Sequence, residues 1–193
     1  MTRGTAAIAM AGLAVVLAVA VALIMVERGG GQRGSGMPDI GGPFELVDHT
    51  GQTVNEQSWP GQHLLIYFGY TFCPDVCPTE LQIMTVALDE LGGEAERIQP
   101  LFVTVDPARD TVPAMADYVG AFHARMVGLT GSDQQIRAAA RTYRVYFALG
   151  EGEDYLVDHS SFIYLMSPDG QLLTYFPANS DPTAMAGRIA ELL

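Results

Sequence analysis

The seven residues His63-Leu64-Leu65-Ile66-Tyr67-Phe68-Gly69 constrain the fold of this chain most, because they form a continuous apolar run with no polar alternation. A strand of that composition carries apolar side chains on both faces and needs cover on both, which places it at the centre of a layered α/β core. The pattern then changes period. From Pro78 onward Leu81, Met84, Leu88 and Leu91 recur at three- and four-residue intervals until Gly92-Gly93, which predicts a helix that stops at the glycine pair. Between strand and helix stand the two cysteines of the chain, Cys73 and Cys77.

The rest of the chain repeats this alternation. Phe44–Val47 and Thr53–Val54, separated by His49-Thr50-Gly51-Gln52, read as a small hairpin. Gln99–Val105 is a second buried strand halted by Asp106-Pro107, and Val112–Phe122 a helix with Pro113 in its first turn. Val127–Leu129 predicts a short strand, Asp133–Tyr143 a helix capped by Ser132, and Val145–Leu149 a further strand. Ser161–Met166 and Gln171–Phe176 meet at Pro168-Asp169-Gly170, a hairpin signal, and Asp181 caps a last helix. A βαβα half followed by a ββα half around one sheet is an α/β, thioredoxin-like arrangement with an N-terminal hairpin and one inserted helix.

Ahead of this domain, Ala6–Val26 is apolar and uncharged over a length sufficient to cross a hydrocarbon core of about 30 Å as a helix. A cleaved signal peptide is the alternative, since Ala18-Val19-Ala20 has the small-x-small form and Arg3 supplies a basic start. The apolar character continues through Leu23-Ile24-Met25-Val26, which favours a retained anchor. No Cys lies there, so a lipoprotein start is not available. The expected organisation is a cytoplasmic tail over 1–5, a single transmembrane helix over 6–26, a Gly-rich linker over 27–38 and one domain over 39–193. Inner-membrane anchoring with the domain in the periplasm follows from the short N-terminal tail. The chain has a net charge of −12 and contains no Lys, so phosphate backbones would repel it and nucleic acid is excluded as a partner.

A disulfide between Cys73 and Cys77 would close too short a loop to constrain the unfolded chain much, which argues against a purely structural bridge. Their place at a helix start does the opposite for reactivity: unpaired N–H groups and the positive end of the helix dipole favour thiolate over thiol. If the first turn has formed by Cys73, the i, i+4 spacing puts both sulfurs on one face. Asp75 between them is suited to capping the helix. Of the four His, His49 lies in a turn, His63 opens a strand and His123 follows a helix. His159, in Val157-Asp158-His159-Ser160-Ser161, directly precedes a core strand where a thioredoxin-like plan brings a loop against the cysteine helix. The methionines form no ligand stripe; Met84, Met115, Met166 and Met185 fall on core faces.

These motifs resemble those of the Sco/SenC family of thioredoxin-like, copper-binding assembly factors for cytochrome c oxidase. The matching stretches are Phe68–Pro78, Val103–Pro107 with Arg109-Asp110-Thr111, and Asp158-His159-Ser160, in that order. The resemblance implies that Cys73, Cys77 and His159 hold one copper ion as Cu(I) or Cu(II), and that Cys73 and Cys77 form a redox-active pair. It also implies as partners the copper-site subunit of cytochrome c oxidase and other copper chaperones. The donor chemistry agrees, since thiolates select Cu(I) and imidazole is acceptable to both oxidation states. A structural zinc site would normally take four protein ligands, and no further Cys exists. Asp158 is a candidate to orient His159, and Asp106 a candidate for partner docking or for tuning the site, or else a strand terminator.

Two enzyme readings compete. Cys77-Pro78-Thr79-Glu80 resembles a peroxiredoxin segment, but Pro74 and Tyr70 occupy the positions where that family carries its Thr and Pro. A thiol-disulfide oxidoreductase needs only two neighbouring reactive thiols, and a redox or copper sensor would use the same residues.

Overall fold

The structure, a computed structural model, describes residues 40–152 and 154–193. The expected tail, transmembrane helix and linker lie outside the described residues. Among the described residues no helix is long and apolar enough to cross a membrane.

Strands β1 (Glu45–Asp48) and β2 (Thr53–Asn55) form the predicted hairpin, followed by β3 (His63–Gly69) and helix α1 (Val76–Leu91). Then come β4 (Ile98–Thr104), α2 (Val112–Val119), β5 (Val127–Thr130) and α3 (Asp133–Thr142). The chain ends with β6 (Phe147–Leu149), β7 (Val157–His159), β8 (Phe162–Met166), β9 (Leu172–Pro177) and α4 (Pro182–Ala190). The main sheet has the order β2-β1-β5-β4-β3-β8-β9. Its three central strands run parallel, while β1 and β8 flank them antiparallel. This is the α/β thioredoxin-like layout expected from the alternation of periods.

Every residue of β3 and β4 is buried, as their unbroken apolar runs require. Alternate side chains leave the sheet on opposite faces, so Leu65, Tyr67, Leu101 and Phe102 feed two apolar layers at once. Helix α1 packs on β3 and against α4, α2 on β5, and α3 on β1. The caps follow the sequence. Ser132 and Gln135 form a reciprocal capping box at α3, and the Asp181 carboxylate accepts the Ala184 N–H at 2.8 Å. Helix α2 is shorter than expected, ending at Val119, with Ala121 and Phe122 in tight turns behind it.

One strand departs from the expected plan. Val145–Leu149 was expected in the single sheet, but among the described residues β6 pairs only with β7, as a separate two-stranded ribbon. Arg144 takes a left-handed conformation (φ 53°), which turns the chain away from the sheet after α3. Val157–His159, expected as a loop, is the returning strand. The ribbon lies outside the main sheet: Val157 is buried in the core and Phe147 packs against it, while Leu149 and Leu156 are exposed.

Candidate metal centre

The cysteine side of the site is built from the end of the central strand. Chain direction carries β3 out of the core at Gly69, through a loop over residues 70–75, and into α1 at Val76. The helix thus starts three residues after Cys73, so the first turn has not formed there as the i, i+4 reading supposed. The sulfurs meet in another way: the Cys73 Sγ accepts the Cys77 backbone N–H at 3.3 Å and takes the place of a side-chain cap. Asp75 occupies the N-cap position without a side-chain capping bond, which corrects the role expected of it.

Cys77 is wholly buried, whereas Cys73 is half-buried, and both are free thiols. Behind Cys77 stands Tyr67, whose hydroxyl donates to the sulfur at 3.9 Å. The sulfur rests against Gly69, where an added Cβ would lie 2.8 Å from Cys77 Sγ and 2.9 Å from Phe102 Cε2. Only glycine leaves room there for this sulfur.

His159 ends β7 and reaches the same point from the ribbon. Its Nε2 lies 3.4 Å from Cys77 Sγ, and its Nδ1 lies 3.0 Å from the Ser160 carbonyl oxygen. A carbonyl can only accept, so Nδ1 carries the proton; in the neutral ring the Nε2 lone pair then faces the sulfur. Two aromatic edges hold the ring, Tyr70 at 5.8 Å and Tyr67 at 6.2 Å between centroids.

The two thiols are driven apart electrostatically. Hydrogen bonding from Cys77, together with the backbone N–H groups of Cys77 and Asp75, holds the Cys73 thiol far below its usual range despite partial burial. Hydrogen bonding to the Cys73 sulfur and then burial push Cys77 the opposite way. The first thiolate therefore sits on the accessible sulfur, Cys73, beside a protonated and buried Cys77.

Of the other candidates, His49 Nδ1 accepts the Gly128 N–H and His123 Nδ1 accepts the Arg125 N–H, both away from the cysteines in the hydrogen-bond pattern. His63 is buried at the start of β3, the end of the strand opposite the site. The four methionines of the predicted core faces are all buried. Asp158 is exposed, and strand alternation turns it to the face opposite His159; the Ser160 carbonyl, and not Asp158, orients the ring. Asp106 is buried, its carboxylate engaged by Arg109 and by the Tyr155 hydroxyl at 2.8 Å, so it offers no surface of its own to a partner.

Sequence reasoning assigned no role to Asp110, which the structure places directly beneath the cysteine loop. Its carboxylate accepts the Thr71 N–H at 3.1 Å, the Thr71 hydroxyl at 2.5 Å and the Thr104 hydroxyl at 2.6 Å. Burial raises its pKa above the ordinary carboxylate range, against these hydrogen bonds. The available signal was its position in the Arg109-Asp110-Thr111 stretch, but no spacing rule links that stretch to Thr71.

Two sulfurs and an imidazole at a helix start suit a soft ion. Among the described residues, no three His, Cys, Asp or Glu side chains already converge as a closed ion site. The arrangement is Cys77 and His159 in contact, with the Cys73 sulfur hydrogen-bonded beside them.

Comparison with known proteins points the same way. A family model described as SCO1/SenC matches residues 32–193. The Homo sapiens protein named SCO1 homolog, mitochondrial, is 46% identical over 164 residues, which cover 82% of this chain and 54% of that protein. The chain thus spans about half the length of the curated relatives it matches. The crystal structure of Arabidopsis thaliana ScoI with copper bound superposes with a TM-score of 0.75 at 41% identity, covering 79% of this chain and 96% of that one. Yeast Sco1 with copper bound gives a TM-score of 0.74 at 41% identity, covering 80% of this chain and 88% of that one. With the family match running through the cysteine loop, the Asp110 stretch and the His159 ribbon alike, this chain belongs to the SCO1/SenC family.

Proposed function

We propose that this chain binds one copper ion through Cys73, Cys77 and His159 and delivers it to the binuclear copper site of cytochrome c oxidase. The observation that carries this reading is the 3.4 Å approach of His159 Nε2 to Cys77 Sγ, with Nδ1 occupied by the Ser160 carbonyl. That tautomer leaves the Nε2 lone pair free on the side of the sulfurs, as a metal ligand requires. Two thiolates hold Cu(I), and the imidazole extends the set to Cu(II). The copper-bound relatives described above support copper as the ion. Residues 6–26 act as a membrane anchor that keeps the domain on the periplasmic side, within reach of the oxidase subunit that receives the metal.

The depressed Cys73 thiol favours a second reading for the same residues. Cys73 thiolate attacks a disulfide in the receiving protein and forms a mixed disulfide; Cys77 then attacks Cys73, releasing the partner as a dithiol and leaving a Cys73–Cys77 disulfide. Two electrons and two protons pass to the partner in that exchange. Reduction of the receiving cysteines and delivery of copper are compatible steps of one assembly role.

Copper quantification on the reduced full chain under anaerobic conditions tests the metal reading. The wild type takes up one Cu(I), and Cys73→Ser and Cys77→Ser each abolish uptake; stoichiometric copper in both single variants would sink the proposal. His159→Ala weakens copper binding while a Cys73–Cys77 disulfide still forms on oxidation. Full copper affinity with lost thiol exchange in that variant would leave only the oxidoreductase reading.

A further inference from the structure

The histidine of the site hangs on a ribbon that the main sheet does not hold. Among the described residues strands β6 and β7 pair only with each other, and Leu149 and Leu156, on either side of the turn between them, are about half exposed (46% and 54%). At its β6 end the ribbon leans on α3, where the Arg137 guanidinium lies 5.1 Å from the Phe147 ring centroid. At its β7 end Val157 is buried in the core, and beside it a second fastening is a cluster around Arg109. The Arg109 guanidinium lies 3.7 Å from the centroid of Tyr155, four residues ahead of His159, and 4.7 Å from that of Phe72, the residue before Cys73. One side chain is therefore stacked between the two segments that carry the opposite halves of the site.

The cluster is fixed from below by a buried carboxylate. Asp106, 1% exposed, binds Arg109 Nε through one oxygen and accepts the Tyr155 hydroxyl through the other, at 2.8 Å. Among the described residues Arg109 Nη2 is buried without a hydrogen-bond partner; Asp106 holds the Nε edge and the rings pack against the guanidinium. A planar guanidinium suits this place because it can pair with a carboxylate along its edge while both faces remain free for rings.

Building on the copper reading above, we propose that Arg109 is a positioning residue: stacked on Tyr155 and Phe72 and tied to Asp106, it clamps the His159 ribbon against the cysteine loop. Arg109 touches no ligand atom and acts on the metal only through His159. The clamp matters most for the oxidation state that depends on the imidazole. Cu(I) is satisfied by two thiolates, whereas Cu(II) needs the harder nitrogen donor.

The test uses the full chain with Arg109→Lys, which keeps a charge for Asp106 but loses the planar stack, and Tyr155→Leu, which removes the ring and its hydroxyl. Each is expected to weaken Cu(II) binding by about tenfold, the range seen when a group supporting a metal ligand is lost, while leaving Cu(I) binding within about threefold. The Cu(II) optical and paramagnetic resonance spectra shift toward those of His159→Ala. In a His159→Ala background Arg109→Lys produces no further loss, because its effect passes through the missing ring. Equal losses with and without His159, or unchanged Cu(II) affinity in both clamp variants, overturn the proposal.

Amide hydrogen exchange on the copper-free protein separates this proposal from the copper reading itself. Both clamp variants speed exchange at residues 157–160 and leave β3 and β4 unchanged. Unaltered exchange there overturns the clamp even if copper binds as proposed. Faster exchange in a chain that takes up no copper retains the clamp and discards the metal function.

Discussion

The two halves of the site are held by different physics. The cysteine half belongs to the core: Cys77 is fully buried beneath the end of β3, a strand with partners on both sides, and its loop is bolted down by the buried Asp110. The histidine half rides on a two-stranded ribbon outside the main sheet, fastened by side chains: Val157 buried in the core, Phe147 packed against it, and the contacts of Arg109, Tyr155, Tyr67 and Tyr70. A short isolated ribbon is marginal in water and takes its order from what it packs on. The difference sets a thiol pair held by the central strand and its loop against a histidine held mainly by side-chain packing.

The comparison breaks most directly at Asp110. Asp110→Ala leaves the Thr71 N–H and the hydroxyls of Thr71 and Thr104 without their acceptor, in a region with little access to water. Removing one acceptor that serves several buried donors costs about 3 kcal/mol, more than a typical single substitution. Chemical denaturation reads that loss, and alkylation of Cys73 becomes faster as its loop loosens. If stability hardly moves, the cysteine loop is not anchored through Asp110 and the two halves are more alike than described.

Gly69→Ala comes second and presses on Cys77 itself. The new methyl group would meet Cys77 Sγ at 2.8 Å and Phe102 Cε2 at 2.9 Å, too close for either to stay. Overpacking of this kind costs about 2 kcal/mol. Cys77→Ser, whose oxygen is smaller than sulfur, should recover part of that loss in the Gly69→Ala background, so the two changes are non-additive by denaturant midpoint. Strict additivity would show that Cys77 does not fix the approach of the loop.

The same division separates what was legible in the sequence from what was not. Unbroken apolar runs delimited β3 at His63–Gly69 and placed β4 within one residue at each end, because a strand buried on both faces leaves no polar position to blur its limits. Ser132 and Asp181 marked helix starts because capping is a local contact. The ribbon was half visible: Val145–Leu149 had strand character, but its pairing with Val157–His159 depends on a left-handed turn at Arg144 that no periodicity reports. The roles of Asp110 and Arg109 were hidden for the same reason, since each joins segments distant in sequence through side chains. Helix-start chemistry singled out Cys73 and Cys77 without help, while His159 needed the family motif; the structure now brings it to Cys77.

His159→Ala has the smallest expected effect on stability and bears most finely on the comparison. The ring is half-buried and contributes two edge contacts and two hydrogen-bonding approaches, to Cys77 and to the Ser160 carbonyl. The ring is itself partly exposed, so water can enter the space that it leaves. The expected cost is about 1 kcal/mol or less, well below that of Asp110→Ala. Amide exchange should rise along β7 and leave the central strands untouched, as for an element that opens separately from the core. A loss as large as that of Gly69→Ala, with faster exchange reaching β3, would instead make the ribbon part of the cooperative core, and His159 would be as fixed as the two thiols.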